Sequence, residues 1–397
     1  MNQHLIEKLA SIIPSMTQFR RDLHAHPELC FQEYRTSQRI VDQLQQWGIE
    51  VHTGIAETGV VGVIRKGSSS RSIGLRADMD ALPMTEQNQF QHVSQYSGRM
   101  HACGHDGHVA MLLTAAYFLA TQSEFDGTVN LIFQPAEEGG GGARRMLEEG
   151  LFERFPMDQI YAMHNWPGIT EGQVAVCDGP IMASSNEFRI LIKGKGGHAA
   201  LPHLGIDPIP IACQLVQAFQ TILTRNKNPS ESGVISVTMI HAGEATNVVP
   251  EECELRGTVR TFTYELLDLI ESRMRELTQH IANAYGAEPQ FVFTRNYPPT
   301  INHAEAVVKI RAAAANLWGS GGAQNFVPTM GAEDFSFFLQ KKQGAYFMIG
   351  NGDGSHRQQG HGLGPCQLHN PSYDFNDNLI AKGAAFWVAL VNTALNH

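Results

Sequence analysis

The sequence predicts an α/β fold in which a larger domain with a mostly parallel sheet is interrupted by a smaller inserted α+β domain. The chain has 397 residues, whereas single hydrophobic cores usually stop growing at roughly 250 to 300 residues. Apolar, strand-like runs alternate with helical patterns in the first and last parts of the chain, which is typical of a parallel sheet with helices on its faces. The pattern changes between these parts, so we expect the larger domain at 1–181 and 296–397 and the inserted domain at 182–295.

The first strands of the larger domain are predicted from apolar runs. VVGVIRK (60–66), SIGLRADM (72–79) and TVNLIFQP (128–135) predict strands, and HVAMLLTAAYFLATQ (108–122) predicts a helix. The first 28 residues predict one amphipathic helix. Functional side chains collect at strand ends in sheets of this kind, which draws attention to ADMDALP, FQPAEEGGGGA and IYAMHNWPG.

The inserted domain is predicted from its own strands and helices. A helix begins at Asp207, strands follow over 232–243 and 251–262, and a second helix begins near Tyr264. This order differs from the alternation on either side, so we expect a small separate sheet with helices.

Composition excludes several classes of function. The formal net charge of −10 and the pI near 6.0 leave no broad cationic surface for nucleic acid or for an anionic membrane. The N-terminus lacks the apolar core of a signal peptide, and no run of about 18 apolar residues is present elsewhere. The six cysteines are scattered without regular spacing, which predicts reduced thiols and a cytoplasmic protein.

The segment HACGHDGH concentrates residues that bind metals. Cys103 and His105 can reach one ion if the segment forms an irregular turn that opens a helix, and thiolate and imidazole suit zinc whereas manganese prefers carboxylate and imidazole. We expect His101 and His108 to pack around them and Asp106 to cap the helix. The alternative is a glycine-rich helix start with incidental histidines.

Two adjacent carboxylates add to this pattern. Glu137 and Glu138 follow a predicted strand, where adjacent side chains point to opposite sides. A hydrolytic metal site needs one carboxylate to hold the metal and another to move protons. The alternative is a solvated pair in a glycine-rich loop. His164 and His369 also lie near predicted strand or segment ends, although either alone is typical of a structural histidine.

The motifs together resemble one known family. In chain order they are RRDLHAHPELCFQE, LRADMDALP, MHACGHDGH, PAEEGGGGA, MHNWPG, GKGGHAALPHLGIDPI, TNVVP, GTVRTF, MGAEDFSFF and LHNPSYDFND. They are similar to the M20 family of metallopeptidases and aminoacylases, and within it to the subgroup of amidohydrolases that includes hippurate hydrolase, N-acyl-amino-acid deacylases and plant auxin-conjugate hydrolases. The resemblance covers nearly the whole chain and implies a zinc-exopeptidase-like larger domain with an inserted lid or dimerisation domain.

The resemblance implies a centre of two divalent metal ions, with manganese expected and zinc possible. The implied ligands are His105 and His164 on one ion, Glu138 and His369 on the other, and Cys103 as the bridge between them. In the wider family an aspartate takes the place of this cysteine. Glu137 matches the catalytic base, and Asp80 matches an aspartate that orients an imidazole ligand by accepting its free N–H.

The inserted domain contributes three further candidates by resemblance. His198 matches a histidine that stabilises the oxyanion developing on the scissile carbonyl, in dimeric relatives often from the partner subunit. Asn247 and Arg260 match positions that approach the substrate, and a guanidinium is suited to an amino-acid carboxylate. For Arg260 the alternative is an ordinary charge on a strand face. A homodimer or higher homo-oligomer is expected.

The leading hypothesis is therefore metal-dependent hydrolysis of N-acyl-L-amino acids to a carboxylate and a free amino acid. A peptidase that removes terminal residues from small peptides is the rival within the same family. A nucleotide-dependent transferase is disfavoured because neither glycine-rich segment has phosphate-loop spacing. A non-catalytic amino-acid-binding protein requires a missing base or ligand position, and none is missing. Trp166, Phe335 and Leu363 are candidates to line the acyl pocket.

Overall fold

The computed structural model describes residues 2–357 and 359–395, with side chains described from Leu5 onward. The strands are β1 (Glu50–Ile55), β2 (Gly59–Lys66), β3 (Ser72–Asp78), β4 (Gly127–Gln134), β5 (Gln159–Pro167), β6 (Val174–Val176), β7 (Gly179–Met182), β8 (Ser185–Lys193), β9 (Gly197–His198), β10 (Gly233–Ala242), β11 (Val248–Val249), β12 (Glu252–Thr261), β13 (Glu288–Tyr297), β14 (Thr300–Asn302), β15 (Ala323–Asn325) and β16 (Gln343–Gly352). The α-helices are α1 (Asn2–Leu9), α2 (Ile13–Ala25), α3 (Tyr34–Gln46), α4 (His105–Thr121), α5 (Gly142–Glu148), α6 (Leu151–Arg154), α7 (Pro208–Thr221), α8 (Tyr264–Ala284), α9 (Ala304–Trp318), α10 (Ser336–Leu339) and α11 (Leu379–Leu395).

The larger compact unit is built on a mixed sheet. It comprises Met1–Ile181, Ile301–Val327 and Asp334–His397. The strand order is β1-β2-β4-β3-β5-β16-β6-β15. The central pairs β4–β3, β3–β5 and β5–β16 are parallel, as is the edge pair β6–β15, while β1–β2, β2–β4 and β16–β6 are antiparallel. The predicted α/β class with a mostly parallel central sheet is confirmed.

Helix α4 lies in the core of this unit. Its residues are buried on all sides over most of its length, as expected for a helix that is apolar around its whole circumference. Gly107 allows close packing, since a Cβ there would lie 2.3 Å from the Phe375 ring. The helix therefore fixes the position of its own N-terminus, where the HACGHDGH segment ends.

The smaller compact unit comprises Met182–Thr300 and Pro328–Glu333. Its antiparallel sheet has the order β10-β12-β8-β13, and α7 and α8 contribute to one core with the inward faces of these strands. Strand β13 was not predicted, and the predicted domain end at residue 295 falls inside it. We propose that the inserted domain extends to about Thr300.

The N-terminal prediction of one helix was wrong. Two helices, α1 and α2, are separated at residues 10–12, and Pro14 lies in the first turn of α2. Proline suits the start of a helix because its missing N–H would be unpaired there anyway. Among the described residues, no helix combines the length and apolarity needed to cross a membrane.

Candidate metal centre

Residues that follow or end three neighbouring strands form the candidate metal centre. Strands β4, β3 and β5 are adjacent and parallel, so their carboxyl ends lie along one edge of the sheet. Asp80 follows β3, Glu137 and Glu138 follow β4, and His164 lies near the end of β5. The sheet topology thus gathers residues that are far apart in the sequence.

His105 is the first residue of α4, and one of its ring nitrogens contacts Asp80. Gly104 precedes it with a left-handed φ of 86°, and a Cβ at Gly104 would lie 2.4 Å from Asn165 Nδ2. His105 Nδ1 lies 2.9 Å from the Asp80 main-chain oxygen and 3.3 Å from Asp80 Oδ1. These contacts orient the ring so that Nε2 lies toward Glu138, 4.0 Å from its Oε1.

Cys103 and His164 face each other across the start of the helix. Cys103 Sγ lies 3.3 Å from His164 Nε2. His164 Nδ1 donates to the Asn165 carbonyl at 2.6 Å, which leaves Nε2 with a free lone pair. The Asn165 side chain also donates to the Cys103 carbonyl at 2.7 Å, so Asn165 links the two segments.

The two glutamates lie in a turn and not on an extended strand. Strand β4 ends at Gln134, and Ala136 has a left-handed φ of 55° before a turn over 137–140. Both carboxylates come within 4.8 Å of a His105 ring nitrogen. The premise that adjacent side chains would point to opposite sides was therefore wrong, because the turn brings both carboxylates to one place.

His369 completes the cluster from the C-terminal part of the chain. Its Nε2 lies 3.2 Å from Glu138 Oε1, and Cys103, Glu138 and His369 present ligand atoms within 4.8 Å of one another. His369 has a left-handed φ of 60°, and its N–H donates to the Ala102 carbonyl at 2.9 Å. The structure thus brings together all five predicted ligands with Glu137 and Asp80.

The residues present fit divalent cations. His105 Nε2 is buried without a hydrogen-bond partner, which is costly unless another group satisfies it. Burial, followed by the nearby carboxylates of Glu138 and Glu137, raises the pKa of the Cys103 thiol well above its usual range. A bound cation reverses this repulsion, and thiolate, imidazole and carboxylate are all common ligands of divalent metals.

His108 and His101 lie around the five predicted ligands, and His108 has a ring nitrogen in a group with Asp78, His105 and His164 whose ligand atoms are within 4.8 Å of one another. His108 Nδ1 lies 2.6 Å from Asp78 Oδ1, and Nε2 accepts the Asn165 N–H at 2.9 Å. Both of its nitrogens therefore have hydrogen-bond partners within the protein. His101 is buried, and burial lowers its pKa to about 4.

Asp106 does not cap the helix, contrary to the prediction. The N-cap position belongs to Gly104, and no side-chain cap hydrogen bond is formed there. The Asp106 carboxylate instead lies 3.1 Å from Arg20 Nη1 and 3.0 Å from His24 Nδ1, with all three side chains fully buried. His24 also lies 3.1 Å from Glu86. Arg20 and His24 belong to the motif RRDLHAHPE (20–28), and no structural role was predicted for either of them.

Replacing His24 by Ala is expected to destabilise the protein by about 3 to 5 kcal/mol, because Asp106 and Glu86 stay buried with their charge. Burial lowers the pKa of His24, but the carboxylates of Asp106 and Glu86 outweigh it and raise the value to about 10. The folded pKa exceeds the unfolded one, so the stabilisation is complete below about pH 6.5 and is lost as pH rises through about 10. Urea unfolding should show a smaller difference in free energy of unfolding between wild type and His24→Ala at pH 10 than at pH 7. An equal difference at both pH values would contradict this assignment. His52→Ala, at an exposed ion pair, serves as the control.

The candidates of the inserted segment lie in the smaller unit. His198 pairs with Val248 between β9 and β11, and the Ala199 N–H donates to the Asn247 carbonyl at 3.0 Å, so His198 and Asn247 are neighbours. Arg260 lies on β12, where its half-buried guanidinium donates to the Val259 carbonyl at 3.2 Å and to the Thr258 hydroxyl. It lines a cavity of about 510 Å³ on the face of the four-stranded sheet. The substrate roles of these residues stay predictions.

The three candidates to line the acyl pocket differ in burial. Phe335 is fully buried against Phe338 and Tyr346, so the prediction that it lines a pocket was wrong. Leu363 is fully exposed. Trp166 is partly buried, with its ring 6.3 Å from the His164 ring and 5.3 Å from that of Phe326, and it stays a candidate.

The fold and the cluster define a class of protein. A cluster of buried thiol, imidazole and carboxylate ligands at the carboxyl edge of parallel strands, with a further carboxylate beside it, is the arrangement of a hydrolase that uses two divalent metal ions.

Comparison with known proteins identifies the family. Residues 74–393 match the model of Peptidase family M20/M25/M40, and the chain belongs to this family, as predicted. It is 39% identical over 388 residues to hippurate hydrolase from Campylobacter jejuni, covering 98% of each chain. It is also 39% identical to thermostable carboxypeptidase 1 from Saccharolobus solfataricus, covering 87% of this chain and 89% of the relative. A solved Bacillus subtilis structure, described as a dinuclear metal binding peptidase from the M20 family, superposes with a TM-score of 0.83 at 32% identity, covering 96% and 98% of the two chains.

Proposed function

We propose that the protein hydrolyses the amide bond of N-acyl-L-amino acids and releases a carboxylate and a free amino acid. The observation that carries this proposal is the turn after β4, which places Glu137 and Glu138 together beside His105. One carboxylate is thereby available for a metal ion and the other for proton transfer. The similarity to a hippurate hydrolase over nearly the whole chain supports an N-acyl-amino acid as the substrate.

Glu137 is the residue that transfers protons. The chemistry that two bound divalent metal ions would supply is polarisation of the amide carbonyl and a lower pKa for water. The Glu137 carboxylate accepts a proton from the attacking water molecule and then delivers it to the leaving nitrogen. Cys103, His105, Glu138, His164 and His369 would hold the ions. Asp80 orients His105 through the contact at its Nδ1. We assign His198 to the developing oxyanion and Asn247 and Arg260 to the substrate.

We propose Mn²⁺ as the working ion, with Zn²⁺ as the alternative. The carboxylate and imidazole ligands favour manganese, whereas the thiolate of Cys103 also suits zinc. Turnover measured after loading the metal-free protein with each ion separately should be higher with Mn²⁺. Higher turnover with Zn²⁺ at equal occupancy would reverse this assignment.

Release of terminal residues from peptides is the second candidate, favoured by the similarity to thermostable carboxypeptidase 1. A ninhydrin assay of N-acetyl, N-benzoyl and N-indoleacetyl amino acids beside an unblocked dipeptide separates the two functions. We expect amino acid to be released from at least one N-acyl substrate at a kcat/KM more than tenfold above that of the dipeptide. Preference for the dipeptide would reject the leading proposal in favour of the peptidase.

We also propose a homodimer formed through the smaller unit and a cytoplasmic location. Strand β10 lies at one end of its sheet, and Met239 and Ile240 on it are about half exposed, as is Val292 on β13. Sedimentation velocity should give twice the chain mass, and Met239→Lys should shift the protein toward monomer. The free thiols of all six cysteines are compatible with the predicted reducing compartment.

A further inference from the structure

The turn that carries the two glutamates depends on one residue in an unusual conformation. Ala136, with its φ of 55°, redirects the chain between Gln134 at the end of β4 and Glu137. A residue with a Cβ rarely adopts this left-handed conformation unless its surroundings hold it there. A rotation at Ala136 would displace both following carboxylates together. The metal centre therefore depends on whatever fixes Ala136.

Glu33 provides that constraint. Its Oε1 accepts the Ala136 N–H at 2.9 Å, and its Oε2 accepts the Thr58 hydroxyl at 2.7 Å. Glu33 is fully buried and Thr58 nearly so. The Glu33 main chain is anchored at the start of α3, where its carbonyl accepts the Ser37 N–H at 2.8 Å. A buried carboxylate with each oxygen engaged has little freedom to move.

The rest of the turn is held in the same way. The Glu138 N–H donates to Asp80 Oδ2 at 2.9 Å, and the Ala143 N–H donates to Asp334 Oδ2 at 2.9 Å. Three buried carboxylates thus accept main-chain N–H groups at the beginning, middle and end of the segment 136–143. Of the three, Glu33 is the carboxylate bound to Ala136, whose carbonyl also accepts the Gly142 N–H at 3.1 Å.

We propose that Glu33 is a positioning residue for the metal centre. It fixes the backbone at Ala136 and thereby positions the Glu137 and Glu138 carboxylates. The inference rests on the metal centre and the role of Glu137 proposed above. It assigns Glu33 no contact with the substrate.

The test compares Mn²⁺ binding to four proteins by equilibrium dialysis after removal of bound metal: wild type, Glu33→Ala, Ala136→Gly and the double variant. Outer residues that orient metal ligands commonly contribute about 10- to 100-fold in affinity, so Glu33→Ala should weaken Mn²⁺ binding by at least about tenfold. Glycine adopts a left-handed φ without strain. The double variant should therefore recover affinity to within about threefold of wild type.

A matched control lies nearby in the same segment. Glu28 also accepts two main-chain N–H groups, from Arg35 at 3.0 Å and Thr36 at 2.8 Å, but these belong to α3 and not to the turn. Glu28→Ala should leave Mn²⁺ affinity within about threefold of wild type. Equal losses in Glu28→Ala and Glu33→Ala, or a double variant no better than Glu33→Ala, would overturn the proposal.

Kinetics provide a second readout. Glu33→Ala should lower kcat at saturating Mn²⁺ and leave KM within about threefold, because the substrate contacts are unchanged. If circular dichroism shows that Glu33→Ala does not fold, Thr58→Val with and without Ala136→Gly replaces it, with the same direction of change and the same rescue expected. A wild-type protein that binds two Mn²⁺ ions but hydrolyses no N-acyl amino acid would reject the proposed function and leave the dialysis comparison valid.

Discussion

Replacing Glu137 by Gln is expected to lower kcat by roughly a thousandfold while Mn²⁺ binding stays within a few-fold of wild type. General acid–base catalysis contributes about 10²- to 10⁴-fold to enzyme rates, and Glu137 is proposed to act in both halves of the reaction. Glutamine has nearly the same shape but cannot accept the proton. The carboxylates, imidazoles and thiol assigned to the metal ions are unchanged in this variant, so the loss should appear in kcat and not in metal affinity.

The adjacent glutamate provides the contrast. Glu138 Oε1 lies 3.2 Å from His369 Nε2, and Glu138 shares one group of candidate ligands with Cys103 and His369 and another with His105. Glu138→Gln should therefore lose Mn²⁺ affinity together with turnover. Turnover and Mn²⁺ binding measured on both variants distinguish the roles. A Glu137→Gln protein that retains turnover within a few-fold of wild type contradicts the assignment of the base.

The proximity of the proposed ligands could be predicted because topology and residue type agree. Asp80, Glu138 and His164 each lie at or after the carboxyl end of a strand, and neighbouring parallel strands necessarily bring these ends together. Family resemblance selected among the candidate histidines, which periodicity alone does not distinguish. His369 in particular lies in a segment without a regular element, so only its motif pointed to it.

Other contacts could not be predicted from local sequence. Asp106 lies in the first turn of a helix, where capping is the local expectation, but its partners Arg20 and His24 are 86 and 82 residues away. Ala136 gives no sign of its left-handed φ, because such positions are usually glycine. Phe335 has the same apolar character whether it lines a pocket or fills the core. In each case the local sequence is compatible with more than one conformation or environment, and tertiary packing determines which one is adopted.

Removal of bound metal is expected to abolish turnover and to lower the Tm. The cluster buries His105 Nε2 without a hydrogen-bond partner, so the metal-free protein keeps an unsatisfied polar atom in its interior. A ligand that binds only the folded protein stabilises it by about 2.7 kcal/mol at a concentration 100 times its Kd. Dialysis against a chelator should therefore lower the Tm by several degrees and turnover by at least about a thousandfold, and added Mn²⁺ should restore both.

The ligand dependence of this shift can be tested with two glutamate variants. Glu148 is exposed at the end of α5, so Glu148→Gln removes a charge from the same part of the chain without touching the cluster. It should show the same rise in Tm on adding Mn²⁺ as wild type, whereas Glu138→Gln should show little or none. A chelated wild-type protein that keeps its turnover, or a Glu138→Gln variant with the full Mn²⁺-dependent shift, would mean that the buried cluster is not where the ions act. The two results together locate the ions at the turn after β4, because the variants differ in whether the altered side chain reaches His105 and His369.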